Sequence, residues 1–144
     1  MLRFKTDKLF AQFFSEKLDK RLRTIIYSIL GELNESSSLF YCNVTDVFRT
    51  QEEQDNIYKD DPEYQKQKWE SVHQYWRGID FIIENEEGEN YDKTFHENLV
   101  KKINNAFQYN DKQNHQTALY HEVGNNGVHI HIQVHALNET RLLK

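Results

Sequence analysis

Residues 117–134 constrain this 144-residue chain more than any other stretch. Two runs, 117–123 and 128–134, flank Gly124-Asn125-Asn126-Gly127, and a short Gly/Asn connection between such runs is the chemistry of a β-hairpin. Strand side chains alternate between faces, so Val128, Ile130, Ile132 and Val134 share one face while His129, His131, Gln133 and His135 share the other. A sheet built on this hairpin must bury its first face and present a row of imidazoles on its second.

The elements that would complete the sheet and cover it are readable upstream. Between residues 7 and 34, Leu9, Phe10, Phe13, Phe14, Leu18, Leu22, Ile25, Ile26, Ile29, Leu30 and Leu33 recur at helical steps, which predicts one long amphipathic helix or two shorter ones broken near Ser15. Residues 39–47, rich in aromatic and β-branched side chains, and 78–83 read as strands. Thr50 with Glu53 three residues on is the signature of a capped helix opening, expected to run to about Tyr58. Pro62 is expected to break it, and 63–70 to form a charged excursion. Phe95, Leu99, Ile103 and Phe107 predict a second packed helix over 92–107. The expected fold class is α+β, a single domain over 1–144. Its small antiparallel sheet would comprise residues 39–47, 78–83, 116–123 and 128–135, with helices packed on one face.

Composition narrows the function classes. A hydrophobic fraction of 38% with 13% aromatic residues exceeds what a disordered chain carries, so a packed core is expected. The net charge of −5, with no Lys/Arg cluster interleaved with aromatics, argues against nucleic acid as a partner. Cys42 is the only cysteine, which excludes an intrachain disulfide and a Cys-pair zinc knuckle. Lys5, Asp7 and Lys8 interrupt what would have to be the apolar part of an export signal, and no apolar run is long enough to cross a bilayer. A soluble chain made in the cytoplasm, without membrane insertion, is expected; oligomeric state is not readable.

The chemistry concentrates at His73, Asp80 and the histidine strand. Catalytic zinc takes three ligands from His and Asp/Glu and keeps a fourth position for water, a count that His73, Asp80 and one downstream histidine meet. Gly78 would ease the approach of the two chain segments. Each residue also has a structural alternative: His131 as a half-buried strand histidine, Asp80 as a turn cap or partner of Arg77, Arg49 as an ion-pair partner of Asp46 or Glu53. His96 and His115 read as surface positions, His135 as an exposed strand end, and Trp69 and Trp76 as packing or cleft-wall residues.

Ser71-Val72-His73 through Gly78-Ile79-Asp80-Phe81, followed by His129-Ile130-His131, resembles the zinc peptidase superfamily of lysostaphin, D-Ala-D-Ala metallopeptidases and Sonic hedgehog. The likeness is greatest to the branch of D-Ala-D-Ala carboxypeptidases and L-alanyl-D-glutamate endopeptidases. Val44 through Gln54, with Arg49 and Thr50 at its centre, is similar to that branch's strand, arginine and helix, so the likeness spans about residues 40–135. It implies a zinc ion (Zn2+) held by His73, Asp80 and His131 on the sheet face opposite the helices. It implies Arg49 near the substrate carbonyl, where a guanidinium stabilises negative charge, and His129 as the non-ligand histidine that holds the attacking water or the oxyanion.

Two departures bear on catalysis. Trp76 and Gly78 stand where the branch has Gly and Ala, which implies either that the bulk has moved one place or that the cleft is partly filled, and Val128 stands where a Glu-x-x-His motif would place the general base. The base must come from His121 or Glu122, adjacent strand residues facing opposite ways, and His121 is preferred. The implied activity is that of a zinc metallopeptidase hydrolysing peptidoglycan stem or cross-link peptides, as a phage endolysin or virion-associated enzyme acting on the cell wall would. The alternative is a non-catalytic zinc-binding interaction module with the same fold.

Overall fold

The structure, a computed structural model, describes residues 1–35, 38–109, 116–122 and 127–136. It is α+β. Five strands, β1 (Leu2–Phe4), β2 (Tyr41–Asp46), β3 (Gly78–Glu84), β4 (Ala118–Glu122) and β5 (Val128–Gln133), form one sheet in the order β1-β2-β3-β5-β4. All neighbours are antiparallel except β1, which runs parallel to β2. This fifth strand was not expected from the sequence: at three residues it is too short to show an alternating pattern. The hairpin connection at 123–126 and His115 lie outside the described residues.

β3 is central and buried along its whole length. Alternation divides it: Ile79, Phe81 and Ile83 enter the main core, while Asp80 faces the other way. The register extends both faces, with Phe81 opposite Val44 and Ile130, and Asp80 opposite Asp46 and His131. β2 reaches that pairing through a bulge, since Val44 pairs with Phe81 and Asp46, two residues later, with Asp80. The extra residue, Thr45, flips the phase of the strand and turns Asp46 towards the polar face, the re-aiming that bulges typically perform beside sites.

Helices cover the apolar face. Residues 7–34 form two of them, α1 (Asp7–Phe13) and α2 (Lys20–Leu33), with the break in the Ser15 region. Thr6 caps the first and Asp19 the second by accepting backbone N–H groups. Leu9 and Phe13 of α1, four α2 residues, and Leu99 and Ile103 of α5 (Lys93–Ala106) join β2, β3 and β5 in one core. Among the described residues no helix is long and apolar enough to cross a membrane.

The connection from β2 to β3 carries the remaining short helices. α3 (Gln51–Ile57) opens with the expected capping box between Thr50 and Glu53. Pro62 does not end that helix; it is the first residue of α4 (Pro62–Gln67), capped by Asp61, a position where proline's missing N–H costs nothing. A 3-10 turn over Val72–Tyr75 follows, and Trp76 leaves it in the left-handed conformation, φ 58°. His96, expected at the surface, is fully buried in α5: its Nε2 accepts the Ile83 N–H, its Nδ1–H donates to the Asp92 carbonyl, and its ring stacks on Tyr120. His135 is half-buried.

Candidate metal centre

Three segments converge on the polar face of the sheet. His73 comes from the 3-10 turn, whose start is fixed by Ser71: the serine hydroxyl accepts the His73 N–H at 3.2 Å while Gln74 closes a capping box. Asp80 comes from β3, and His131 stands directly opposite it on β5. One side-chain donor atom from each of these three buried residues lies within 4.8 Å of the other two, so the group could hold a metal ion. Gly78 permits the convergence: a Cβ there would sit 2.7 Å from Val72 Cγ2, 3.2 Å from His131 Cε1 and 3.4 Å from His73 Cε1.

Hydrogen bonds fix which ring nitrogens face inward. His73 Nδ1–H donates to the Val47 carbonyl at 2.8 Å, leaving Nε2 3.1 Å from Asp80 Oδ1. His129 Nδ1–H donates to the Gly127 carbonyl at 2.9 Å, leaving Nε2 3.3 Å from Asp80 Oδ2. Gln133 donates its amide N–H to the Gln116 carbonyl, so its oxygen is the acceptor for His131 Nε2–H at 3.1 Å; His131 Nδ1 then lies 2.7 Å from Asp80 Oδ1. Three imidazoles thus spend their outer N–H on an acceptor and aim the second nitrogen at one carboxylate. Neutral rings would present lone pairs to the carboxylate's lone pairs, whereas a charged His73 donates to it. A metal ion held between these nitrogens and the carboxylate would satisfy the same lone pairs, and tied outer nitrogens are what orient metal-ligating histidines.

The titration behaviour has the same origin. Burial opposes ionisation of Asp80, yet the charge of His73 and the hydrogen bonds from His131 and His73 hold it well below the usual carboxylate range. For His73, burial again works against the charged form, but the Asp80 charge and hydrogen bond outweigh it and raise its pKa. Burial lowers His129, with Asp80 only partly compensating. His121, opposite His129 on β4, is lowered to about 4 by burial and by the neighbouring His131 and His129.

The cluster opens into a cleft of about 210 Å³. It is lined by the histidines of β4 and β5, Gln133, Arg49, Tyr58, Trp69 and residues 70–72. His121 faces it with a buried Nε2 that has no hydrogen-bond partner, whereas Glu122, the other candidate base, is exposed on the strand's opposite face. Arg49 is buried and 4.0 Å from Asp80 Oδ2, but its Nε and Nη2 bind Asp46 and its Nη1 donates to Gln54 Oε1 at 2.7 Å. Its expected ion pair with Asp46 is therefore present alongside its place in the cleft. Trp76 adds no bulk there: it stacks on Phe48 at 4.5 Å and packs against the core.

The sequence reading missed the supports: Gln54, Gln133, Tyr58 and the Val47 and Gly127 carbonyls. Gln133 shares the histidine face of β5 by alternation, so its position at the site had a signal; the backbone carbonyls had none. Comparison with known proteins finds no matching family model, no matching curated protein and no matching solved structure.

Proposed function

We propose that the chain is a zinc-dependent peptidase hydrolysing peptide bonds in peptidoglycan stem or cross-link peptides, the activity implied by its resemblance to the D-Ala-D-Ala metallopeptidase branch. What supports this best is the single buried carboxylate, Asp80, faced by three imidazoles whose outer nitrogens are already committed, at the floor of an open cleft. His73 and His131 with Asp80 supply two nitrogens and one oxygen, the donor set and count of a catalytic zinc site with a position left open. Zinc bound there would polarise a carbonyl and make a water nucleophilic near neutral pH.

The chain's own residues divide the remaining work. His129, beside the ligand group and held by Gly127, hydrogen-bonds the attacking water or the developing oxyanion. His121, neutral at physiological pH and without a partner at Nε2, accepts the proton that the water loses. Arg49 adds positive charge to the same space. Made in the cytoplasm, such an enzyme would act on the cell wall as a phage endolysin or virion-associated lysin does.

One observation favours a second reading, a non-catalytic zinc-binding interaction module. Among the described cleft residues the only carboxylates are Asp80, within the ligand group, and Glu70, exposed and hydrogen-bonded to the Tyr75 hydroxyl at 2.6 Å. Neither stands at the Glu-x-x-His position that the resemblance implies for the base, which is Val128. Incubation with purified peptidoglycan separates the two: a hydrolase releases new amino groups and stops with a chelator, and muropeptide analysis identifies the bond. A chain that binds zinc and releases nothing is the module.

A further inference from the structure

We propose that Tyr58 is a catalytic residue of the same cleft, its hydroxyl donating the hydrogen bond that stabilises negative charge on the substrate's carbonyl oxygen. Arg49 is the positioning residue behind it. This rests on the peptidase reading.

The argument begins with what Arg49 has left to offer. Its Nε and Nη2 bind Asp46, and its Nη1 donates to Gln54, so three of the five N–H groups of the fork belong to a buried network. Gln54 is itself pinned, donating its own amide N–H to the Trp69 carbonyl at 3.4 Å. A guanidinium held this firmly cannot swing towards a substrate; what it can do is act on its neighbour in the cleft wall.

Tyr58 is that neighbour. It ends α3, its ring stacks on Tyr64 at 5.0 Å and meets the edge of Trp69 at 5.2 Å, and Tyr64 is anchored through its hydroxyl to Asp55 at 2.6 Å. The ring therefore has little freedom, and the cleft that it lines also contains Asp80, His129 and His131. The phenol lies near enough to Arg49 and to Asp80 to feel both charges. Among the described residues no hydrogen bond is donated by the phenolic O–H, so its proton is available to a group entering the cleft that Tyr58 lines. Burial, the largest influence, raises its pKa, so the proton stays in place at neutral pH. Tyr58 donates without losing its proton, so no bond is made or broken at this residue, and a rigid donor aimed into a water-poor site suits oxyanion stabilisation.

The test is Tyr58→Phe, which retains the ring and both aromatic contacts, measured beside the wild type on the same peptidoglycan peptides. The expected result is wild-type zinc content and melting temperature, a KM changed by less than about threefold, and a kcat lowered ~10²–10³-fold. Binding of a phosphinate analogue of the tetrahedral intermediate, followed by calorimetry, should weaken by a similar factor while binding of the cleaved peptide does not. Unchanged kcat and phosphinate affinity in Tyr58→Phe overturn the role of Tyr58 alone. A wild-type chain that holds zinc yet cleaves nothing overturns the peptidase reading, and the role of Tyr58 with it.

Discussion

Replacing Gly78 by alanine probes how the ligand group is assembled. The added methyl would lie 2.7 Å from Val72 Cγ2, well inside van der Waals contact, and 3.2 Å and 3.4 Å from the Cε1 atoms of His131 and His73. It is accommodated by turning Val72 off its rotamer, by moving the 3-10 turn that carries His73, or by retreat of β3. Overpacking of this kind costs about 1–3 kcal/mol, and with an unfolding entropy of about 2 cal/mol/K per residue the melting temperature should fall by roughly 3–10 °C. Both imidazoles are pushed as well. Metal sites tolerate errors of only ~0.2 Å, so affinity should drop by about 10–100-fold, as when an orienting partner is lost. Thermal melts and calorimetric zinc titration measure the two effects. Gly31→Ala is the control: nothing lies within 4 Å of its Cβ and it sits within α2, so this substitution should stabilise by roughly 0.5–1 kcal/mol. Wild-type zinc affinity in Gly78→Ala would refute the convergence of the two histidines at this point.

Three further outcomes are expected. His129→Ala should keep its zinc yet lose ~10²–10⁴-fold in turnover, since it faces Asp80 from outside the ligand group; loss of the metal would make it a ligand instead. Arg49→Lys should lower turnover and also stability by about 1–3 kcal/mol, because a lysine cannot serve Asp46 and Gln54 together and one is left buried without its partner; a melting temperature equal to wild type would contradict the buried network. In metal-free protein, His73 titrates above its ordinary 6.5 and Asp80 well below its ordinary 3.8. Their pairing is therefore fully stabilising between those values, fades as pH rises through the folded pKa of His73, and fades as pH falls through that of Asp80. Zinc must displace the His73 proton, so the melting-temperature gap between zinc-loaded and chelated protein should widen from about pH 6 to about pH 8; a gap that narrows would contradict it.

The parts of the fold legible in the sequence are those that repeat a local rule. β5 shows its two faces in its own alternation, so Ile130 and Ile132 in the core and His129 and His131 at the site follow from four residues. The α3 cap was equally local. β1 was not legible because three residues carry no period, and the bulge at Thr45 has no glycine to mark it, although it decides that Asp46 reaches Arg49. His96 was misplaced because its chemistry was weighed above its position: it lies three residues before Leu99 and seven before Ile103, on the helix's buried stripe. Tyr58 and Trp69 were harder still. Their place in the cleft wall is set by packing on Tyr64 inside a charged segment, a tertiary effect without a sequence period.

Zinc content measures the central claim most directly. Purified wild-type chain and His131→Ala, each loaded with zinc and exhaustively dialysed, are analysed for bound metal beside a chelator-treated control. One zinc per wild-type chain, removed by the chelator and lost from His131→Ala, is the expected result, because deleting one of three protein ligands leaves a two-point site. A wild-type chain that retains no metal, or a His131→Ala chain that retains a full equivalent, would contradict the assignment of His73, Asp80 and His131 as the metal centre.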